Sequence, residues 1–85
     1  MARASILVVD DESLMRAYVQ EALARAGHDV TVAPSGRDAN QLVESKTFDV
    51  VVTDLKMQPV DGIEVLRAVR AHSPATACII MTAYG

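Results

Sequence analysis

The chain has 85 residues, with eight Lys plus Arg against eleven Asp plus Glu, for a formal charge of −3. Hydrophobic residues make up 51% and charged residues 22%, the make-up of a folded domain rather than a disordered tail. The length suits a single domain over residues 1–85, and the pI near 5.1, the absence of a basic block and the absence of Trp argue against direct nucleic-acid binding.

The start, Met-Ala-Arg-Ala-Ser, leads straight into a short apolar stretch, too short for a signal peptide. Ser5 to Val9 reads as a buried strand, rich in β-branched residues and stopped by Asp10-Asp11. A helix is predicted from about Ser13 to Ala26. Leu14, Tyr18 and Ala22 repeat every four residues, as do Met15, Val19 and Leu23, and together they predict one broad apolar face. Gly27 is the expected stop. His28 follows it and reads as a surface residue, as does His72.

Asp29 to Ala33 alternates apolar and polar, as an edge strand does. Ser35 and Asp38 have the spacing of a helix cap. The helix they open runs to about Ser45, with Ala39, Leu42 and Val43 facing inward. Val50 to Thr53 is apolar on both faces and so predicts a central strand in a covered sheet. A loop from Asp54 to Val60 follows. Asp61, with Glu64 three residues on, caps a third helix whose predicted inner stripe is Ile63, Leu66 and Val69. Ser73-Pro74 ends it, and Ala77 to Thr82 is the fourth strand. Met15, Met57 and Met81 read as packing or loop residues rather than ligands. Cys78 reads as a small apolar strand residue. As the only cysteine it closes no internal disulfide, which fits a reducing cytoplasm. The longest apolar run is about five residues, far short of the roughly 20 that a membrane span needs.

The order β-α-β-α-β-α-β, with helices of this length between strands, means parallel βαβ units with right-handed crossovers. An open α/β sheet places its ligands beyond the carboxyl ends of the strands. Asp10, Asp11 and Glu12 follow the first strand, Asp54 follows the third, Thr82 ends the fourth, and Asp61 closes the loop after the third. Five of the eleven acids therefore lie on one edge, and the rest of the chain is slightly basic. A single Asp after a strand is usually a turn or cap residue. Three that converge from two strands repel one another unless a cation lies between them. An all-oxygen set without nearby His or Cys suits Mg²⁺ or Mn²⁺ rather than Zn²⁺. Asp54, ending the most buried strand, is the best candidate nucleophile for a phosphoryl group. The Thr82 hydroxyl is placed to donate to a phosphoryl oxygen.

Four segments carry a family resemblance: Ile6–Glu12, Asp49–Met57, Val60-Asp61-Gly62 and Ile80–Gly85. In this order and at this spacing they resemble the receiver domain of two-component response regulators, over the whole chain. The ending Met-Thr-Ala-Tyr-Gly is most similar to receivers of the nitrogen-regulator (NtrC-like) type. The resemblance implies a flavodoxin-like (CheY-like) open parallel sheet with strand order 2-1-3-4. It implies that Asp54 is the phosphoacceptor, that Asp10, Asp11, Asp54 and the Lys56 backbone carbonyl hold Mg²⁺ (or Mn²⁺), and that Thr82 is the switch hydroxyl. Ala83 would leave access to Asp54, with Lys56 and Tyr84 flanking the site. The implied partners are a sensor histidine kinase and, in the full protein, a downstream ATPase and DNA-binding output domain that regulates transcription in the cytoplasm. No direct nucleic-acid or membrane contact is expected of the receiver itself.

Two departures stand out. The family usually has Pro directly after the Met of the third-strand loop, whereas here Gln58 follows Met57 and the proline is Pro59. The family also continues with a fourth helix, a fifth strand carrying a lysine, and a fifth helix. The chain is therefore expected to be a receiver truncated after its fourth strand, impaired as a phosphoacceptor and prone to form a homodimer or higher oligomer. Neither Lys46 nor Lys56 can take the missing lysine's role. Two other functions compete with this one: an interaction fragment without phosphoacceptor activity, and an Asp-nucleophile phosphatase. The latter wants an Asp two residues after the nucleophile, where this chain has Lys56. A receiver is not itself expected to be an enzyme.

Overall fold

The computed structural model describes residues 3–82. Its elements are β1 (Ser5–Val9), α1 (Ser13–Arg25), β2 (Asp29–Ala33), α2 (Gly36–Ser45), β3 (Val50–Asp54), α3 (Gly62–His72) and β4 (Ala77–Met81). The strands form one parallel sheet in the order β2-β1-β3-β4. This is the order expected above. No helix among the described residues is long and apolar enough to cross a membrane. The readings of Ala83 and Tyr84 lie outside the described residues.

Alternation along the strands sends side chains to two faces. On one face Leu7, Val9 and Val51 meet Ala39 and Val43 of α2, Val65 and Val69 of α3, and Met57 of the β3–α3 loop. Most of these side chains are fully buried, and each buried Val or Leu contributes roughly 1.5–3 kcal/mol relative to exposure. On the other face Ile6, Val8 and Val52 form a smaller cluster, with Val19 and Leu23 of α1 packed against it. α1 packs on β1 and β2 and leaves the β3–β4 part of that face open.

The caps fall where expected. Ser35 Oγ accepts from the N–H of Asp38 at 3.1 Å, and Asp61 Oδ1 accepts from the N–H of Glu64 at 2.9 Å. Gly27, at φ +96°, turns the chain out of α1 in a conformation that favours glycine.

Three local expectations are corrected. The broad apolar face of α1 is not buried as a whole: Leu14 is 80% exposed, Tyr18 71% and Met15 42%, and only Val19 and Leu23 reach the sheet. A helix over only two strands can bury only a narrow stripe. In α3 the inner residues are Gly62, Val65 and Val69, with Leu66 half-buried, whereas Ile63 is exposed. Val65 and Val69, four apart, set the inner face, and Ile63 lies off it. His28 is half-buried, because its Nδ1 accepts from the N–H of Ala4 at 3.1 Å and ties the start of β1 to the turn before β2.

Candidate functional site

The site lies at the carboxyl end of the sheet, where β1 and β3 stop. β1 and β3 are neighbours, with Val9 opposite Thr53. The residues that follow Val9 and Thr53, Asp10 and Asp54, therefore lie side by side at this end of the sheet. Asp11 comes next on the loop into α1. One carboxylate oxygen from each of Asp10, Asp11 and Asp54 lies within 4.8 Å of the other two. Asp10 is buried, Asp54 half-buried and Asp11 exposed, so the cluster grades from interior to surface.

Local bonds fix Asp10 from both sides. Its N–H donates to the carbonyl of Ala33 at 3.2 Å. Its Oδ1 accepts from the N–H of Glu12 at 2.9 Å, an Asx turn that starts the loop into α1. Its carbonyl accepts from Arg16 Nη1 at 2.9 Å, which ties α1 to the end of β1. Burial pushes the Asp10 carboxyl above its ordinary range. The Glu12 N–H opposes this, and the charges of Asp54, Asp11 and Glu12 add to the rise.

Asp54 stands opposite Met81 in the β3–β4 register. Next to it, Thr53 is fully buried and its Oγ1 donates to the Asp54 carbonyl at 3.1 Å. An open cleft of about 560 Å³ joins Asp10, Asp11, Glu12, Met15, Asp54, Lys56, Met81 and Thr82. Thr82 thus lies on the rim with the three carboxylates, and its side chain is exposed. A second cleft of about 690 Å³ adjoins it, lined by Asp11, Leu55, Lys56, Met57, Gln58 and Asp61. Asp61 does not join the acid cluster, since its carboxylate caps α3.

The β3–α3 loop carries Lys56 between two anchors. Leu55 closes the loop by accepting from the N–H of Gly62 at 3.0 Å, and Met57 is buried in the main core. Gly62 has no side chain where the chain passes the Asp54 carbonyl: a Cβ there would overlap that oxygen and lie 2.9 Å from Leu55 Cα. In the sequence Gly62 stands out only as part of a motif, and Gly36, which meets this loop from α2, only as part of the Pro34-Ser35-Gly36 break after the second strand. A glycine at a helix's first position, where a β-carbon is normally tolerated, is the signal that could have found both.

The donor set fits a hard divalent cation. All its side-chain atoms are carboxylate oxygens, and the mutual repulsion felt at Asp10 is what such an ion relieves. The comparisons with known proteins bear on what uses such an edge. The model of the response regulator receiver domain matches residues 6–85. This chain belongs to that family. The receiver is 42% identical over 79 residues to the transcriptional regulatory protein ZraR of Escherichia coli K12, covering 93% of this chain and 18% of the relative. It is 37% identical over 84 residues to the DNA-binding transcriptional regulator NtrC of the same strain, covering 99% of this chain and 18% of the relative. These relatives bear out the nitrogen-regulator likeness. Among solved structures, the response regulator TrrA of Thermotoga maritima, in complex with Mg(2+)-BeF, superposes with a TM-score of 0.89 at 34% identity, over 100% of this chain and 72% of that one. The receiver has the CheY-like fold, and a receiver is a signalling domain.

Proposed function

We propose that this receiver takes a phosphoryl group onto Asp54, in the presence of Mg²⁺, from a sensor histidine kinase. The observation that carries the reading is the convergence of Asp10, Asp11 and Asp54 at the ends of two neighbouring strands. Asp10, Asp11, Asp54 and the Lys56 carbonyl would hold the cation, which when bound would neutralise charge on the transferring group. An Asp54 carboxylate oxygen forms the new O–P bond as the P–N bond of a phosphohistidine breaks, and the imidazole leaves with the electron pair. The Thr82 hydroxyl donates to a phosphoryl oxygen, and that contact reports the phosphorylated state to the rest of the fold. That TrrA was solved with Mg(2+)-BeF supports a site of this chemistry.

The chain spans 18% of the length of the curated relatives it matches. Their names concern transcription, so the output proposed for the whole protein is control of transcription in the cytoplasm through an ATPase and a DNA-binding domain. Phosphoryl transfer to the 85-residue chain is expected to be slow, since neither Lys46 nor Lys56 ends a strand. Self-association is a further part of the reading, supported by a β4 that pairs only with β3 among the described residues and by Ile79, which is 53% exposed.

The test is beryllofluoride with Mg²⁺, followed by amide shifts at Asp54 and Thr82. Wild type is expected to shift at both and Asp54→Asn at neither. Identical behaviour of the two chains would overturn the phosphoacceptor role.

A further inference from the structure

We infer that Gly36, on a helix that lines neither cleft, is a positioning residue for the acidic site, acting through Val60. The inference rests on the reading of Asp10, Asp11, Asp54 and the Lys56 carbonyl as a cation and phosphoryl site.

The loop of residues 55–61 has to hold Lys56 with its carbonyl toward the carboxylates. Two of the loop's supports are local: the Gly62 N–H on the Leu55 carbonyl, and Met57 in the core. The third comes from elsewhere in the chain. Val60 packs against the main core and meets the first residue of α2. A Cβ at Gly36 would lie 2.8 Å from both Cβ and Cγ1 of Val60, and would overlap the Val60 carbonyl oxygen.

This contact explains the glycine. Gly36 does not have a positive φ, so its backbone conformation does not require one. Helix propensity disfavours Gly there relative to Ala. What remains is the close approach of α2 to the loop backbone. Because a backbone oxygen is part of the contact, no side-chain rotation at Val60 can make room for a β-carbon. The loop has to move at Val60. Leu55 is held by a backbone bond, whereas Met57 is held only by packing in the cluster that Val60 also packs against, so the displacement passes through Met57 to Lys56, the residue before it.

The test uses the 85-residue chain with Mn²⁺ as probe. The readouts are amide shifts of residues 55–61 without metal and paramagnetic broadening at Asp11, Asp54 and Lys56 on titration. Gly36→Ala is expected to shift the loop amides and to weaken Mn²⁺ binding by about tenfold, the size of effect seen when supports of a metal site are removed. Gln41→Gly, on an exposed turn of the same helix, lowers helix stability without touching Val60 and is expected to leave the affinity unchanged. If Gly36→Ala fails to fold, Val60→Ala takes its place, and its expected result is the same direction of loss. Unchanged affinity in Gly36→Ala or Val60→Ala, with a wild type that binds, overturns this inference alone. An equal loss in Gln41→Gly overturns it too, by showing that helix stability accounts for the effect. A wild type that binds no Mn²⁺ overturns the site reading and this inference with it.

Discussion

The N–H of Leu55 donates to the carbonyl of Met81 at 3.0 Å, one residue past the Asp54–Met81 register pair. The ladder between β3 and β4 therefore continues beyond the phosphoacceptor candidate. Met81 is held beside Asp54, and Thr82 follows it onto the same rim. On the proposed reading, a rotation of the Thr82 side chain would bring its hydroxyl toward a group on Asp54, since Met81 just before it is already paired.

From this follows the first prediction. Thr82→Ala should leave Mn²⁺ affinity and thermal stability close to wild type, because the side chain is exposed. It should weaken beryllofluoride binding by roughly ten- to a hundredfold, the equivalent of one hydrogen bond to a charged group at about 1.5–3 kcal/mol. Thr82→Ser should restore most of it. Titration followed by NMR decides; equal beryllofluoride affinity in Thr82→Ala would remove the hydroxyl from the mechanism.

Gly62 gives a second prediction. Its bare Cα lies against the Asp54 carbonyl, so Gly62→Ala must push α3 away from β3 or displace Asp54 itself. Helix propensity alone would make the substitution favourable by up to about 1 kcal/mol. Overpacking costs roughly 1–3 kcal/mol, and with backbone on both sides the overpacking should win. Urea unfolding is expected to show a net loss of stability, with amide shifts centred on Asp54 and Leu55. A stability at or above wild type would mean that the close approach relaxes freely.

Much of the fold was legible because it follows from local chemistry. The runs rich in β-branched residues at Ile6–Val9 and Val50–Thr53, each followed by Asp, mark strands that carry acids to one end of a parallel sheet. The acidic trio followed directly, since strands 1 and 3 had to be neighbours in the resembled topology. What was not legible depended on which elements meet. Periodicity offered α1 two apolar stripes, and only Val19 and Leu23 are used, because the helix rests on β1 and β2 alone. The phase of α3 was shifted for the same reason: Val65 and Val69 face α2 and β3, and Ile63 does not. Likewise His28 is tied to Ala4 across 24 residues of sequence, and Gly36 to Val60 across a similar span. No local pattern announces such contacts.

Asp10 supplies a pH prediction. Its folded-state carboxyl titrates above its ordinary range, through burial first and then through the charges around it. Between the unfolded and folded values the native state binds more protons, so the stability of the metal-free chain falls as pH rises through that interval. The penalty is complete above the folded value. Asp10→Asn removes the charge and keeps an oxygen to accept from the Glu12 N–H. In EDTA it should be more stable than wild type near pH 7, with the gap closing as the pH approaches about 4, where the unfolded carboxyl itself protonates. Added Mg²⁺ should stabilise wild type more than the variant. Urea unfolding at the two pH values checks both signs, and a variant less stable than wild type in EDTA near neutrality would contradict the account.

The last prediction concerns the outer edge of β4, which pairs only with β3 among the described residues. Ile79 stands opposite Val52 in the register, on the face that α1 leaves uncovered beyond β1, and is 53% exposed. The segment Ala77–Met81 has no charge and no proline, the two features that usually guard an unpaired strand. Pairing with a second copy would satisfy the β4 backbone groups that no described strand pairs and cover Ile79 in one step. The 85-residue chain should therefore move from monomer to dimer or higher oligomer as its concentration rises. Ile79→Lys places a charge where two copies would meet, and should weaken that association by about tenfold or more for a cost of about 1.4 kcal/mol or greater. Its thermal midpoint measured under dilute, monomeric conditions should stay near wild type, because the side chain buries little within one copy. Sedimentation velocity across a concentration series distinguishes the cases: a wild-type chain that stays monodisperse and monomeric at high concentration rules out association through this edge.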